Sequence, residues 1–291
     1  MSSSPAVVYA IVAASRDAMI GVAFYPVFHL TRVFDLTMGA IFAVGAYTTF
    51  ALLGLGLGLV TSLVGAIAVS ILVGATSSFL QRKCLRANSH DGLSAFVFTL
   101  GIYFFAEALL AITFGSEALT LSGYVSVNSI SLGKSVYVTT VQTATVLCAL
   151  VTSLATQLMY SRTNVGISLR AVADNSDLAV AFGVNCGNVV FFSIIVSSVL
   201  MSLAGILQSM DTDLRPTMGF NPVAIGAVAS VLSGHRGPLA AAASGAVLGV
   251  LGSLVAWISD ARWQATVPYV IFLGLLAVGR FRNANNREQV T

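Results

Sequence analysis

Long apolar stretches alternate with short polar breaks along almost the whole chain. The stretches fall at residues 6–30, 38–58, 60–80, 93–114, 138–159, 189–210, 219–233, 238–258 and 265–280. Most approach the roughly 20 residues that an α-helix needs to cross a bilayer, but 219–233 is short and Pro268 interrupts the last stretch. The pattern predicts an all-α polytopic membrane protein with about nine transmembrane helices, within a range of about eight to ten.

Composition narrows the class further. Hydrophobic residues make up 57% of the 291 positions and charged residues only 9%, whereas soluble domains are about 25% charged. These values exclude a soluble globular enzyme, a disordered chain and a fibrous protein. Since no polar break is long enough for a second domain, we predict one transmembrane domain over residues 1–291.

The polar breaks carry the charges, and their distribution predicts an orientation. We place 31–37, 81–92, 160–188, 234–237 and the C-terminus in the cytoplasm. Ten of the 14 Lys and Arg residues then lie on the cytoplasmic side and three outside. Because short cytoplasmic loops are enriched in Lys and Arg, this arrangement predicts an external N-terminus and a cytoplasmic C-terminus.

Few ionisable residues lie inside the apolar stretches, and each is a functional candidate because burial in lipid is costly. Arg16 and Asp17 are adjacent, and we expect each to pair with another helix, since neighbours on a helix point in different directions.

Glu107 lies deep in the fourth stretch. Thr99 and Tyr103 precede it by eight and four residues and therefore share its helical face. This polar stripe is compatible with structural hydrogen bonding or with lining of a cavity. For Glu107 we expect a protonated or hydrogen-bonded carboxyl.

The sequence contains no motif that points to catalytic chemistry. The three histidines lie in different segments, and the three cysteines are widely separated, which favours free thiols over a metal site or disulfide. No nucleophile elbow or phosphate loop is present, so we expect no catalytic residue and no metal or cofactor site in this chain. A potassium-filter sequence and a matched pair of broken helices are also missing from the pattern.

The segment 160–188 is the longest polar break and reads as two short helices. The first is predicted over about Val165–Ala173. Asn175 or Ser176 can cap the second, and Gly183 suits its C-terminal end. The apolar face predicted for the pair comprises Leu169, Val172, Ala179 and Phe182. Helices this short cannot span a bilayer, so the face must pack on the bundle, on lipid or on a partner.

The stretch from Thr163 to Asn185 resembles the cytoplasmic loop of permeases of branched-chain amino-acid ABC importers, a family that extends to urea and amide permeases. The residues of this loop that we single out are Gly166, Leu169, Arg170, Asp174, Asn175, Ala179, Phe182 and Gly183. Further resemblances follow in family order: Gly45-Ala46-Tyr47, Thr99-Leu100-Gly101 with Glu107, Pro216-x-Met218-Gly219-Phe220, and Gly234-x-x-Gly237-Pro238. Together they cover nearly the whole chain.

The resemblance implies a permease subunit of a bacterial inner membrane importer that works by ATP-driven alternating access. Its loop at 160–188 would couple to the ATPase. Implied partners are a second permease subunit, two ATP-binding subunits that use ATP and Mg, and an extracytoplasmic binding protein. The implied cargo is an amino acid of the branched-chain type or a similar small polar metabolite.

One departure from the family pattern concerns the path. Where the family usually has Asn-Phe-Ala-His-Gly, this chain has Asp35-Leu36-Thr37-Met38-Gly39. The resemblance implies that Asp35, Thr37, Met38 and Gly39 lie by the translocation path, and an aspartate facing the path favours a cationic or amine-bearing ligand. Alternatives are a permease for urea, short amides or another small compound, a stand-alone channel or carrier, and a membrane scaffold.

Overall fold

A computed structural model describes residues 3–85, 92–121, 129–131, 137–259 and 261–274. The helices are α1 (Ser3–Thr31), α2 (Thr37–Gly54), α3 (Leu59–Leu85), α4 (Gly92–Phe114), α5 (Thr140–Arg162), α6 (Asn164–Asp174), α7 (Ser176–Ala181), α8 (Cys186–Asp211), α9 (Phe220–Ser233) and α10 (Pro238–Ile258). Two short antiparallel strands, β1 (Ser129–Ser131) and β2 (Tyr137–Thr139), precede α5. Residues 216–219 and 261–266 form 3-10 turns, and 267–274 are helical.

Seven of these helices are long and apolar enough to cross a membrane: α1, α2, α3, α4, α5, α8 and α10. This confirms the predicted all-α polytopic class. The remaining two predicted spans correspond to α9, with 14 residues, and to the described helical stretch 267–274. Residues 275–280 lie outside the described ranges, and the count of nine stays a prediction.

Contacts between helix ends show which loops and helix termini lie together at each end of the bundle. At the first, Arg32 Nη2 lies 3.0 Å from His235 Nε2, Arg82 donates to the Gly187 carbonyl and the Leu239 amide donates to Gln157. We call this the basic end. It comprises residues 31–34, 81–85, 157–188 and 234–239, and its described basic residues are Arg32, Arg82, Lys83, Arg162, Arg170 and Arg236.

At the opposite end, the backbone of Leu119 pairs with that of Leu214, and Gln142 Nε2 lies 3.3 Å from Asp211 Oδ1. The described residues of the four internal breaks that the charge count places in the cytoplasm therefore share one end of the bundle. The cytoplasmic location of that end stays a prediction.

Helix α1 lies at the centre and packs against α5, α8, α9 and α10. Close approach to α10 depends on small residues, because a Cβ placed at Gly249 would lie only 2.6 Å from the Ala13 carbonyl oxygen. The expectation for Arg16 and Asp17 was wrong. They pair with each other, with Nε and Oδ1 3.3 Å apart.

Candidate functional site

Helix α2 begins well inside the bundle. Gly39 lies against Gly219, at the start of α9, whereas Arg32 contacts His235, just beyond the end of α9. The 14 residues of α9 span about 21 Å, so residues 32–39 run alongside most of that helix. The start of α2 is thereby placed beside the turn at 216–219 and α9, with α4 and α3 on its other sides.

Asp35 lies in this region just before Leu36, the N-cap residue of α2, and its side chain caps the first helical amide. Its side chain is 5% exposed. The Thr37 amide donates to Oδ1 over 2.9 Å, and Gln81 Nε2 donates to Oδ2 over 3.4 Å. Burial raises the pKa of the Asp35 carboxyl, against the opposing effect of these hydrogen bonds. The structure thus gives Asp35 a capping role that the sequence did not reveal.

We expect Asp35→Asn to assemble normally, because a neutral amide replaces a carboxyl whose neutral form burial already favours. Asp35→Leu should lose about 1–3 kcal/mol, since buried donors on Thr37 and Gln81 lose their acceptor. The measurement is the thermal midpoint of the purified permease in detergent. Equal midpoints for Asp35→Leu and the parent protein would rule out the capping role.

The raised pKa of the Asp35 carboxyl predicts how the stability of the folded protein depends on pH. A raised pKa means that the folded protein holds the proton more tightly than the unfolded chain does. The contribution of Asp35 to stability is therefore full below the ordinary aspartate pKa of 3.8 and is lost as pH rises through the raised value. Midpoints measured between pH 4 and pH 8 should show a larger loss in the parent protein than in Asp35→Asn.

Helix α4 supplies the other side of the region. Thr99 Oγ1 accepts from the Leu36 amide over 3.4 Å, and the Tyr103 hydroxyl donates to the Thr217 carbonyl over 3.3 Å. The Tyr103 ring also lies 6.0 Å from that of Phe220, between centroids. The two groups of sequence-predicted path residues, one from α2 and one from α4, are therefore brought together.

The path residues predicted from the sequence differ in their exposure to solvent. Thr37, Met38, Thr99 and Tyr103 are almost fully buried within the described chain, whereas Glu107 is half-buried. The Glu107 carboxyl is close enough to the Tyr103 hydroxyl to interact with it. A carboxylate partly exposed on a spanning helix is too costly against hydrocarbon. The geometry therefore favours a water-filled cavity or a partner subunit beside Glu107.

Some residues of this region were missed or only partly indicated. Gln81 had no signal, because nothing in its local pattern points to Asp35. Thr217 and Phe220 lie in the Pro216–Phe220 motif, which did mark their importance but not their contacts. Tyr269, whose ring is stacked 6.5 Å from Phe220, lay in the stretch that Pro268 made difficult to interpret.

A separate groove of about 650 Å³ lies between α3 and α4. Its walls are almost entirely apolar and include Leu72, Phe98 and Phe105. Because it lacks charged groups, the groove is typical of a surface facing lipid or another apolar helix. It does not belong to the polar region described above.

The segment 160–188 folds as two short helices, close to the prediction. Thr163 Oγ1 accepts from the Gly166 amide over 3.1 Å at the start of α6. Asn175 Oδ1 accepts from the Leu178 amide over 3.0 Å at the start of α7, so Asn175 is the cap. Asp174 and Asn175 are exposed and form the corner between the helices.

Helix α7 ends in a Schellman motif. The Gly183 amide donates to the Val180 carbonyl over 2.9 Å, and the Val184 amide donates to Ala179 over 3.0 Å. Gly183 has φ +83°, with nothing within 4 Å of a Cβ placed there. At the other end of the segment, Gly166 packs directly on the backbone carbonyls of Met159 and Tyr160.

The predicted apolar face is only partly covered by the bundle. Leu169, Val172 and Ala179 are buried, at 1%, 8% and 4% exposure, but Phe182 is 80% exposed. Phe182 follows the last turn of α7 and turns away from the bundle. It belongs instead to an exposed apolar set, which we call the loop patch, formed by Ile167, Leu178, Val180 and Phe182.

The remaining loop residue, Arg170, is exposed and its guanidinium lies 5.9 Å from the centre of the Tyr160 ring. This contact connects the outer face of α6 to the end of α5.

Comparison with known proteins places the sequence in a family. Residues 6–276 match the family described as branched-chain amino acid transport system / permease component. The chain is 23% identical over 276 residues to the high-affinity branched-chain amino acid transport system permease protein LivH of Salmonella typhimurium, covering 91% of this chain and 89% of that protein. It is 20% identical over 275 residues to LivH of Escherichia coli, with the same coverage of 91% and 89%.

Proposed function

This chain belongs to the family of branched-chain amino acid transport permease components, and we propose that it is the membrane-spanning subunit of a bacterial ABC importer. In this proposal it is a non-catalytic subunit of the inner membrane. It works with a second permease subunit, two ATP-binding subunits that use ATP and Mg, and an extracytoplasmic binding protein.

The observation that carries the proposal is the loop patch. Four large apolar side chains, those of Ile167, Leu178, Val180 and Phe182, are each more than half exposed on two short, firmly capped helices. They lie at the basic end, which the positive-inside rule assigns to the cytoplasm. An exposed apolar cluster of this kind is typical of a protein–protein contact, and the partner proposed for it is the ATPase.

The proposed path runs past the region where α2, α4 and the turn at 216–219 meet. Support comes from the half-buried Glu107 and from the neighbouring polar backbone at Thr217. Asp35 is occupied as a helix cap, so it gives no support to a cationic cargo. With LivH proteins as relatives, the proposed cargo is an amino acid of the branched-chain type, with urea, a short amide or a similar small polar compound as the alternative.

Phe182→Glu tests the ATPase dock. A charge placed in an apolar contact should reduce ATPase co-purification with the tagged permease about tenfold or more, because burying an unpaired charge is costly. Phe182→Leu is the matched control and should retain the partner. Membrane abundance of the permease should be unchanged in both variants, since Phe182 is 80% exposed.

Two results would contradict the proposal. One is retention of the ATPase by Phe182→Glu at the parent level. The other is labelling of Phe182→Cys by membrane-impermeant thiol reagents added outside intact cells, which would invert the topology. Uptake without any ATPase partner would favour a stand-alone channel or carrier instead.

A further inference from the structure

At the basic end, aromatic rings and guanidinium groups form a continuous row. The Arg170 guanidinium lies over the Tyr160 ring at 5.9 Å. The Tyr160 and Tyr25 rings meet edge to face at 5.7 Å, and Tyr25 stacks on His29 at 5.0 Å. We call this row the ring column.

The column continues to the residue that precedes the path segment. The His29 and His235 rings meet edge to face at 4.9 Å, and His235 Nε2 lies 3.0 Å from Arg32 Nη2. A guanidinium only donates hydrogen bonds, so Nε2 of His235 accepts and its ring proton is on Nδ1. Arg32 is thus held by a directional hydrogen bond rather than by loose packing.

Arg32 has an unusual backbone. Its φ of +54° makes it the one residue other than glycine with a positive φ in the described part of the chain. That conformation costs an L-residue roughly 1–2 kcal/mol and persists where surrounding contacts enforce it. Here it occurs directly after α1, where the Arg32 amide donates to the Phe28 carbonyl over 2.9 Å and the side chain contacts His235, and the residues directly after Arg32 lead through Asp35 to Gly39.

From this geometry we infer that the ring column transmits movement of the coupling loop to the start of α2, with Arg32 and His235 as positioning residues. Its two ends are the elements that the proposed function joins. Arg170 belongs to α6, next to the loop patch, and Arg32 begins the segment that enters the path region. The middle members Tyr160, Tyr25 and His29 are buried, at 6%, 1% and 6% exposure, so displacement of one ring displaces the next.

This inference rests on the proposed function. The test uses the full complex, either purified or in inside-out membrane vesicles. Val33→Cys serves as the reporter, in a background with the three native cysteines replaced by alanine. The rate of maleimide labelling is measured without nucleotide and with ATP plus vanadate. In the reporter protein we expect trapping of nucleotide to change the rate at least twofold.

Three substitutions are then compared in the reporter protein. His235→Leu removes the acceptor and should lose at least half of the nucleotide response. His235→Gln retains an acceptor oxygen near the position of Nε2 and should keep the response. Arg236→Leu, a neighbouring exposed residue outside the column, is the control and should also keep it. Since His235 is exposed, none of these changes should reduce the amount of permease in the membrane.

The outcomes distinguish a failure of the ring-column inference from a failure of the proposed function. An unchanged response in His235→Leu, an equal loss in His235→Gln, or no response in the reporter protein despite bound ATPase would each overturn the role of the ring column. Absence of any ATPase from the purified reporter complex would instead overturn the proposed function.

Discussion

Gly39→Ala is expected to abolish most transport. A Cβ at Gly39 would lie 2.6 Å from the Gly219 carbonyl oxygen and 2.8 Å from Val223 Cγ2. Both the opposing backbone and a buried side chain would have to move. Overpacking of this kind costs about 1–3 kcal/mol, and here it separates the start of α2 from the turn that leads into α9. We therefore expect uptake to fall about tenfold or more, together with a lower thermal midpoint.

The matched control is Gly101→Ala on α4, where nothing lies within 4 Å of the added Cβ. It makes the same chemical change in a spanning helix and should leave uptake and the midpoint unchanged. Uptake by Gly39→Ala at the parent rate would show that the contact between Gly39 and Gly219 is not required. A lowered midpoint with a normal uptake rate per folded molecule would restrict the contact to a structural role.

Gly183→Val is expected to disconnect the permease from the ATPase proposed as its partner. The φ of +83° at Gly183 lies in the region that β-branched residues strongly avoid. Valine would force the end of α7 to unwind and shift the adjacent Phe182, which belongs to the loop patch. We expect at least a tenfold loss of ATPase co-purification, or ATP hydrolysis that no longer drives uptake. Membrane abundance should be unaffected.

Gly183→Asn is the control, because asparagine tolerates the left-handed conformation better than other side chains. Steric crowding does not restrict this position, since no atom lies within 4 Å of an added Cβ. If both variants lost the ATPase equally, the partner would require a bare backbone at Gly183. If Gly183→Val kept full coupling, the helix end would have no part in docking.

Much of the architecture could be predicted from the sequence because membrane insertion is a local requirement. A helix must satisfy its own backbone groups in lipid, so each long apolar stretch specifies its own helix. The stretch 93–114 became α4 over Gly92–Phe114, and 189–210 became α8 over Cys186–Asp211. The caps of α6 and α7 were equally local, since Asn175 and Gly183 act on neighbouring amides and carbonyls.

Side-chain partners could not be predicted in this way. Phe182 was assigned to the apolar face of the loop, but which part of that face the bundle covers depends on the helices beside it. Asp35 stands out in the sequence, yet its role as a cap contacted by Gln81 depends on α3 lying against the start of α2.

The sequence by itself determined the class of the protein, the positions of its long helices and the short capped helices at 160–188. Only the tertiary structure decided that Gly39 meets Gly219, that Glu107 remains partly exposed and that His29 and His235 bring Arg32 into the ring column. The physical reason is the distance along the sequence over which each interaction acts. Hydropathy, caps and turns act over a few residues, whereas these contacts join residues that are distant in the sequence, and helix packing alone brings them together.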